Sequence, residues 1–147
     1  MAYRLPREPS SPRIALWRKL KQLGAGRVLD GLAALPLDNR NREQLEWLAE
    51  DVAEAGGEAT VWVGQTATAA QERALVERMA AAVAADYRAV IDAAEAARAK
   101  GADRRALGRL RRSLRAIRAR DYFPPPERER ALQAVAELAS LIEEPVS

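Results

Sequence analysis

The sequence predicts a mixed α+β fold in which a small sheet precedes a long run of helices. The first 64 residues alternate β-type runs with amphipathic segments in the order β-α-β-β-α-β. Asp30-Gly31 joins two of the apolar runs, a strong short-range signal for a β-hairpin. From Thr66 onward the apolar residues keep helical spacing. We therefore expect a ferredoxin-like βαββαβ unit followed by a long helix and a C-terminal helical bundle.

The length of 147 residues is that of one domain. We expect a ferredoxin-like α/β unit at residues 1–64 and a helical extension at 65–147, packed together in one compact domain overall.

The composition excludes several classes of chemistry. The chain has no Cys and no His, which removes disulfides, the usual zinc and haem ligands, and Ser-His-Asp or Cys-His nucleophile pairs. No carboxylates are paired in a pattern typical of acid–base catalysis. No apolar run is long enough to span a membrane, and the N-terminus lacks the apolar stretch of a secretory signal. We expect a protein that is not an enzyme and uses no cofactor or metal.

The first elements are a short strand and a basic helix. Tyr3-Arg4-Leu5 is the predicted end of strand one. Ser11 is the predicted N-cap of the helix, because Pro12 suits the first helical position. Gly24 is the predicted C-terminal cap. One helix face carries Leu16, Leu20 and Leu23.

A hairpin and a second helix follow. Residues 27–29 and 32–35 form the predicted hairpin strands, with Asp30-Gly31 as a type I′ turn. Asn41 with Gln44 resembles a capping box that opens a helix to about Ala55. The β-rich run at residues 58–63 is the predicted fourth strand.

The second half is predicted to be helical. Thr68 with Gln71 forms a capping box, Lys100-Gly101 breaks the long helix, and Asp103 caps the next one. That helix has a narrow apolar seam of Leu107, Leu110, Leu114 and Ile117. The last helix, about Glu127 to Glu143, carries Leu132, Val135, Leu138, Leu141 and Ile142.

The three tryptophans allow different interpretations. Trp17 and Trp62 are predicted to lie in the core or at its edge. Trp47 lies opposite the apolar face of its helix, so it either marks an interface or is covered by the C-terminal helices. We favour the covered position.

The densest positive charge lies on the helix after Gly101. Arginine binds phosphate through a planar fork, so this helix is a candidate nucleic-acid surface. The commoner alternative is an amphipathic helix whose arginines pair with nearby acids. The arginines are Arg104, Arg105, Arg109, Arg111, Arg112, Arg115, Arg118 and Arg120. The acids available to them are Glu127, Glu129, Glu137, Glu143 and Glu144.

The first helix is basic as well, through Arg13, Arg18, Lys19 and Lys21. The second helix is acidic. The contrast could steer a partner or place two copies head to tail, but two solvated faces are the more common explanation.

The chain resembles the N-terminal domain of the ChrB chromate-resistance proteins from about residue 3 to residue 140. The motifs that carry the resemblance are Tyr3-Arg4-Leu5-Pro6, Arg13, Leu16-Trp17-Arg18-Lys19-Leu20, Leu23-Gly24, Asp30-Gly31, Leu35-Pro36, Asp86-Tyr87, the Arg-rich helix from Leu107 to Ile117, and Arg120-Asp121-Tyr122-Phe123.

This resemblance implies a bacterial, cytoplasmic, chromate-responsive transcriptional regulator. The first unit also resembles the middle domain of PaaX-type repressors, which is similar to the small CRISPR-associated nucleases. Those nucleases use an acidic residue at the end of the first strand. Tyr3-Arg4-Leu5 offers none, so nuclease activity is not expected here.

Two departures from the family qualify these implications. Longer ChrB proteins continue into a C-terminal domain that is the expected chromate-sensing partner, and this chain ends at Ser147. The first strand is also shorter than in the family. A shortened strand is expected to leave a sheet edge poorly paired or to favour pairing with a second copy.

We therefore expect a ChrB-type domain that associates with DNA through its basic helices, as a monomer or a homodimer. The alternative is a non-enzymatic interaction or dimerisation module without nucleic-acid binding. Direct binding of chromate or another oxyanion by arginine is a third hypothesis. The expected phosphate contacts are Arg18, Lys19, Lys21, Arg109, Arg112 and Arg115.

Overall fold

The computed structural model describes residues 1–143 and confirms the mixed α+β class. Strands come first and helices dominate the rest of the described chain. The elements are β1 (Ala2–Arg4), α1 (Ser11–Leu23), β2 (Gly26–Leu29), β3 (Leu32–Ala34), α2 (Asn39–Glu54), β4 (Glu58–Thr60), α3 (Ala69–Ala99), α4 (Arg104–Ala119) and α5 (Glu127–Glu143).

The four strands form one antiparallel sheet in the order β2-β3-β1-β4. β1 is internal: Ala2 pairs with Leu32 on one side and with Thr60 on the other. The Tyr3 amide also donates to the Gly31 carbonyl at 2.8 Å. Despite its three residues, β1 is therefore not an edge of the sheet. The two edges are β2 and β4.

The hairpin between β2 and β3 has the predicted two-residue loop, but the predicted type I′ turn is wrong. That turn needs positive φ at both central residues, and Gly31 has φ +82° whereas Asp30 does not have positive φ. The register shifts between Arg27 and Leu29, and such irregularities add twist to a hairpin by another route. A Cβ at residue 31 would lie 2.6 Å from the Tyr3 carbonyl oxygen, so glycine is needed here for space as well as for its dihedral angle.

The β2 edge is covered by the first turns of α3. The Arg78 guanidinium donates to the carbonyl oxygens of Arg27 at 2.6 Å and Val28 at 3.2 Å. A Cβ at Gly26 would lie 2.9 Å from side-chain atoms of Leu75 and Met79, which shows how closely the helix approaches the strand. An edge with occupied carbonyls is a poor template for pairing with another strand.

Two helix starts differ from prediction, whereas two others are confirmed. Ser10, not Ser11, is the N-cap of α1, and its side chain makes no capping hydrogen bond. Asp38, not Asn41, is the N-cap of α2. Its carboxylate accepts a hydrogen bond from the backbone amide of Asn41 at 2.7 Å, so the helix begins before the predicted cap. The predicted caps of α3 and α4 are confirmed by the bonds from Gln71 N to Thr68 Oγ1 and from Ala106 N to Asp103 Oδ1. Gly24 is the predicted left-handed cap that ends α1.

The apolar face predicted for α1 and α2 packs on the sheet. Leu16 and Leu20 of α1 join three residues of α2 in one buried cluster with Met1 and Ala33. The α2 residues are Leu45, Leu48 and Val52. Leu23 is half-buried against the same cluster.

Several predicted core residues are exposed instead. Trp17 is 48% exposed and Trp62 is 72% exposed, so neither belongs to the core. Trp47 is 53% exposed, which contradicts the expectation that it is covered. β4 ends at Thr60, three residues before the predicted end, and Trp62 therefore lies beyond the paired strand. Leu141 of α5 is also exposed.

The helices from Ala80 onward share a separate core. Tyr87 is fully buried among residues of α3, α4 and α5, and the whole predicted seam of α4 is buried with it. The α5 residues buried in this core are Val135 and Leu138, as predicted, together with Ala131, which precedes the first predicted position. The predicted narrow stripe on α4 is confirmed.

The chain divides into two compact units, Met1–Met79 and the residues from Ala80 onward. The boundary falls inside α3. The division at residues 64 and 65, where the strand-rich sequence ends, stays a prediction. Among residues 1–143, no helix is both long and apolar enough to cross a membrane.

Candidate nucleic-acid interface

α4 separates a narrow apolar seam from a broad basic surface. The seam residues are at most 7% exposed. The arginines of the helix lie on its remaining surface and are exposed: Arg104, Arg105, Arg109, Arg111, Arg112, Arg115 and Arg118. Because the seam occupies a minor part of the circumference, most of the helix surface is available to carry charge.

Arg105, Arg109 and Arg112 form one stripe on this surface. Their spacing of four and three residues places them on the same helix face, roughly opposite the buried seam. Arg115 continues the basic surface beside the stripe. None of these four side chains forms an ion pair with another residue in the range 1–143. We call these four residues the open arginines.

The structural alternative, in which arginines pair with acids of the last helix, holds for part of the unit. Arg111 donates to both carboxylate oxygens of Glu143, at 3.0 and 3.3 Å. Glu127 and Glu137 pair instead with Arg88 and Arg98 of α3. These pairs leave the open arginines untouched. Glu144, the remaining acid proposed for such pairing, lies outside the described residues.

A buried polar cluster fixes the C-terminal end of α4 against α3. The Tyr87 hydroxyl donates to Asp121 Oδ2 at 2.7 Å, and Arg120 donates to Asp86 at 3.0 Å. The Asp121 side chain is fully buried, with the Arg128 guanidinium 3.8 Å away. Burial, followed by the hydrogen bond and the negative charge of Asp121, raises the pKa of Tyr87 well above its ordinary value. These contacts hold α4 in one orientation, so its open arginines are presented on a fixed surface.

The three basic residues predicted on α1 differ in their surroundings. Lys19 donates to Asp51 of α2 at 2.9 Å, and both side chains are about half exposed. The Lys21 ammonium lies 5.3 Å from the centre of the Trp17 ring, within range of a cation–π contact. Arg18 is exposed and forms no ion pair with any described residue. Of the three, Arg18 can bind a phosphate without first losing a contact to another described residue.

The predicted site residues fall into two groups. Arg18, Lys19 and Lys21 lie on α1 in the first unit, and Arg109, Arg112 and Arg115 lie on α4 in the second. Arg109, Arg112 and Arg115 are three residues apart along one side of α4, whereas Lys19 and Lys21 are two residues apart and lie on nearly opposite sides of α1. Arg105 belongs with the second group but was not among the predicted contacts. Its spacing from Arg109 and Arg112 is the sequence signal that identifies it.

The family model described as "Protein ChrB, N-terminal" matches residues 13–102, more than half of the chain. No significant match was found among curated proteins or among solved structures. The matched range begins within α1, includes its basic residues and ends before α4. It is shorter than the resemblance over residues 3–140, which also drew on motifs in α4 and after it.

Proposed function

Because the chain belongs to the family of ChrB N-terminal domains, we propose that it is the DNA-associated domain of a chromate-resistance transcriptional regulator. The role is non-enzymatic and cytoplasmic, and a chromate-sensing domain is the expected partner. The observation that carries the proposal is the set of open arginines on α4.

Four arginines on one well-anchored helix surface favour a polyanionic partner. Each guanidinium can bind phosphate oxygens through its planar fork, and every contact releases counterions from the DNA. Arg18 on α1, which has no ion partner among residues 1–143, supplies a further cation. Lys19 and Lys21 can contribute too, because an exposed ion pair is worth only about 0–1 kcal/mol and is readily exchanged.

We also propose that the first unit is ferredoxin-like. The order β2-β3-β1-β4, with every neighbour antiparallel, follows from a split βαβ arrangement in which α1 and α2 are the crossovers. Both helices contribute to the single core on one face of this sheet. The arrangement supports the likeness to the PaaX middle domain, and residues 1–64 contain all of its elements.

Fluorescence anisotropy with a labelled duplex from the upstream region of the chain's own gene tests DNA association. A scrambled duplex of the same composition reports on sequence preference. Measured from 50 to 200 mM salt, the affinity should fall steeply, with a slope of log K against log[salt] near −0.9 for each phosphate contact. Absence of binding to both duplexes at 50 mM salt would refute the proposal.

The triple variant Arg109→Gln, Arg112→Gln, Arg115→Gln tests the assigned surface. Loss of three phosphate contacts should reduce the salt slope by about 3 and weaken binding to both duplexes alike. The matched control is Arg40→Gln, Arg42→Gln, Arg73→Gln, which removes the same charge from exposed positions on α2 and α3. Equal losses in both variants would mean that net charge, rather than the open arginines, determines binding.

A second candidate function is self-association through the β4 edge. β4 pairs with β1 on one side and is the outermost strand on the other, whereas the β2 edge is covered by Arg78. Trp62 and Val63, just beyond β4, are both exposed. Such an edge can pair with another strand. Light scattering after size exclusion should then show a dimer that Trp62→Lys and Thr60→Pro disrupt. The DNA affinity of these variants should fall only by the part that dimerisation contributes to DNA binding.

A further inference from the structure

A cleft of about 720 Å³ opens in the first unit between α1, the end of β1 and the β2–β3 hairpin. Its volume lies within the usual range of small-molecule sites, about 300–1,000 Å³. The hydrogen bond from the Tyr3 amide to the Gly31 carbonyl joins the end of β1 to the β2–β3 hairpin on one side of the cleft. All of its lining residues belong to the first unit, whereas α4 belongs to the second.

The charge of the cleft is strongly positive. Arg4, Arg7, Arg13 and Arg27 line it, and they come from four successive segments of the chain. Asp30 is the acid in the lining, and its carboxylate lies 3.8 Å from Arg27. The first turn of α1 contributes no acidic residue. An anionic ligand would therefore meet several guanidinium groups and little opposing charge.

Two of these arginines have no counterion among residues 1–143. Arg7 and Arg13 are exposed and form no ion pair with any residue in the range 1–143. Arg4 pairs with Glu58 at 2.9 Å, but both side chains are about four-fifths exposed. Such a pair yields readily to a stronger anion, because solvent screens it.

The same cleft has an aromatic and apolar wall. Trp17 and Ile14, both about half exposed, line it together with the half-buried Tyr3. Arg13 and Trp17 are four residues apart on α1, so they lie side by side on one helix face. A large exposed aromatic ring beside free guanidinium groups suits a ligand that is both planar and anionic.

We propose that this cleft binds a nucleoside phosphate. The phosphates lie against Arg7, Arg13 and Arg27, and the base stacks on the face of the Trp17 ring opposite the Lys21 ammonium. A small tetrahedral oxyanion would satisfy the arginines but leave the aromatic wall and most of the volume unused. Base stacking on an aromatic side chain is tolerant of base identity, so the site selects phosphate and ring rather than a particular sequence.

The test uses the full chain with Trp47→Phe and Trp62→Phe, which leaves Trp17 as the single tryptophan reporter. Both replaced residues are exposed, so the fold is retained. The probes are ATP, adenosine, inorganic phosphate and a single-stranded 12-mer. ATP should quench Trp17 fluorescence saturably, at least about tenfold more tightly than adenosine or phosphate.

Arg7→Gln, Arg13→Gln in this background should weaken ATP binding at least about tenfold. The matched control Arg40→Gln, Arg42→Gln, which removes the same charge from α2, should leave it unchanged. Circular dichroism verifies that both variants fold. The DNA affinity of the α4 variants is measured separately. Loss of ATP binding alone would then count against the nucleotide site, and loss of DNA binding alone would count against the proposed function.

Four results would overturn the proposal. One is absence of saturable quenching by ATP, and another is equal affinity for ATP and inorganic phosphate. The third is tight binding of the 12-mer without binding of ATP, which would make the cleft part of a nucleic-acid surface. The fourth is an ATP affinity that is unchanged by the loss of Arg7 and Arg13, which would contradict the assignment of these residues to the site.

Discussion

α1 and α4 are both basic helices, yet their cations stand in different surroundings. On α1, Lys19 is paired with Asp51 and Lys21 lies over Trp17. On α4, the open arginines face solvent without a counterion among residues 1–143. The comparison teaches that a count of positive charges does not reveal which are available to a ligand. That depends on the acids and aromatic rings placed next to them.

The two helices are also held in place by different forces. α1 contributes two buried leucines and an exposed ion pair with α2. α4 contributes four buried residues and ends in the buried Tyr87–Asp121 hydrogen bond. A surface that must present charge in a fixed geometry benefits from the second kind of anchoring. The difference between the two helices can be measured at each of these contacts.

The largest effect is expected from truncation of the α4 seam. Leu107 is 2% exposed, so Leu107→Ala should lower the free energy of unfolding by about 3 kcal/mol through lost burial and a cavity. Urea unfolding followed by circular dichroism measures the change. Leu141→Ala is the control, because Leu141 is exposed on the neighbouring helix of the same unit and should change stability by less than about 0.5 kcal/mol. Equal losses in the two variants would contradict the assigned core.

The buried Tyr87–Asp121 hydrogen bond should contribute less to the free energy of unfolding than the α4 seam, but more than an exposed ion pair. Tyr87→Phe removes the hydroxyl and leaves Asp121 without its donor, which should cost about 1–3 kcal/mol of unfolding free energy. Tyr3→Phe serves as the control, since no residue in the range 1–143 hydrogen-bonds to the Tyr3 hydroxyl. A neutral Tyr87→Phe change would mean that the bond does not anchor α4.

The same tyrosine predicts a pH dependence at alkaline pH. The folded state raises the pKa of Tyr87, whereas the unfolded chain ionises near pH 10. Folding then favours the protonated hydroxyl, so its stabilisation is fully present below pH 10 and is lost as pH rises further. Between pH 10 and 11 the wild-type unfolding free energy should fall more steeply than that of Tyr87→Phe, by up to about 1.4 kcal/mol per pH unit. Parallel profiles would show that Tyr87 titrates normally.

The smallest effect is expected from the ion pair that holds α1. A double-mutant cycle of Lys19→Ala and Asp51→Ala should give a coupling of about 0.5 kcal/mol, because both side chains are half exposed. The coupling should shrink further in 1 M salt, where the Debye length falls to about 3 Å. A coupling above 2 kcal/mol would place α1 in the same class as α4 and remove the contrast between them.

Much of the candidate site could be predicted from local sequence. The spacing of Leu107, Leu110, Leu114 and Ile117 determines which side of α4 is buried, and it thereby places Arg105, Arg109 and Arg112 on the other side. Pairing could not be predicted in the same way. Arg111 and Arg112 are neighbours in sequence, but only Arg111 lies within reach of Glu143. A rotation of 100° per residue along the helix separates the paired from the open arginine.

The tryptophans show where local patterns are insufficient. Trp17 and Trp62 occur in an amphipathic helix and a β-rich run, contexts in which a large aromatic is usually buried. Both are exposed, because contacts with residues distant in the chain determine which side chains of each segment are buried. β4 pairs with β1 at Glu58, Ala59 and Thr60, and the residues after Thr60 have no partner strand in the described part of the chain.

The succession of strands and helices, the breaks at Gly24 and Gly101, and the buried stripe of α4 could all be predicted from local sequence. These features depend on dihedral preferences, capping groups and periodicity within a few residues. The strand order, the covering of the β2 edge by Arg78, the exposure of the tryptophans and the choice of ion partners became visible in the three-dimensional fold alone. Each of these depends on contacts between residues that are distant in the chain, and local propensity carries no information about which distant residues will meet.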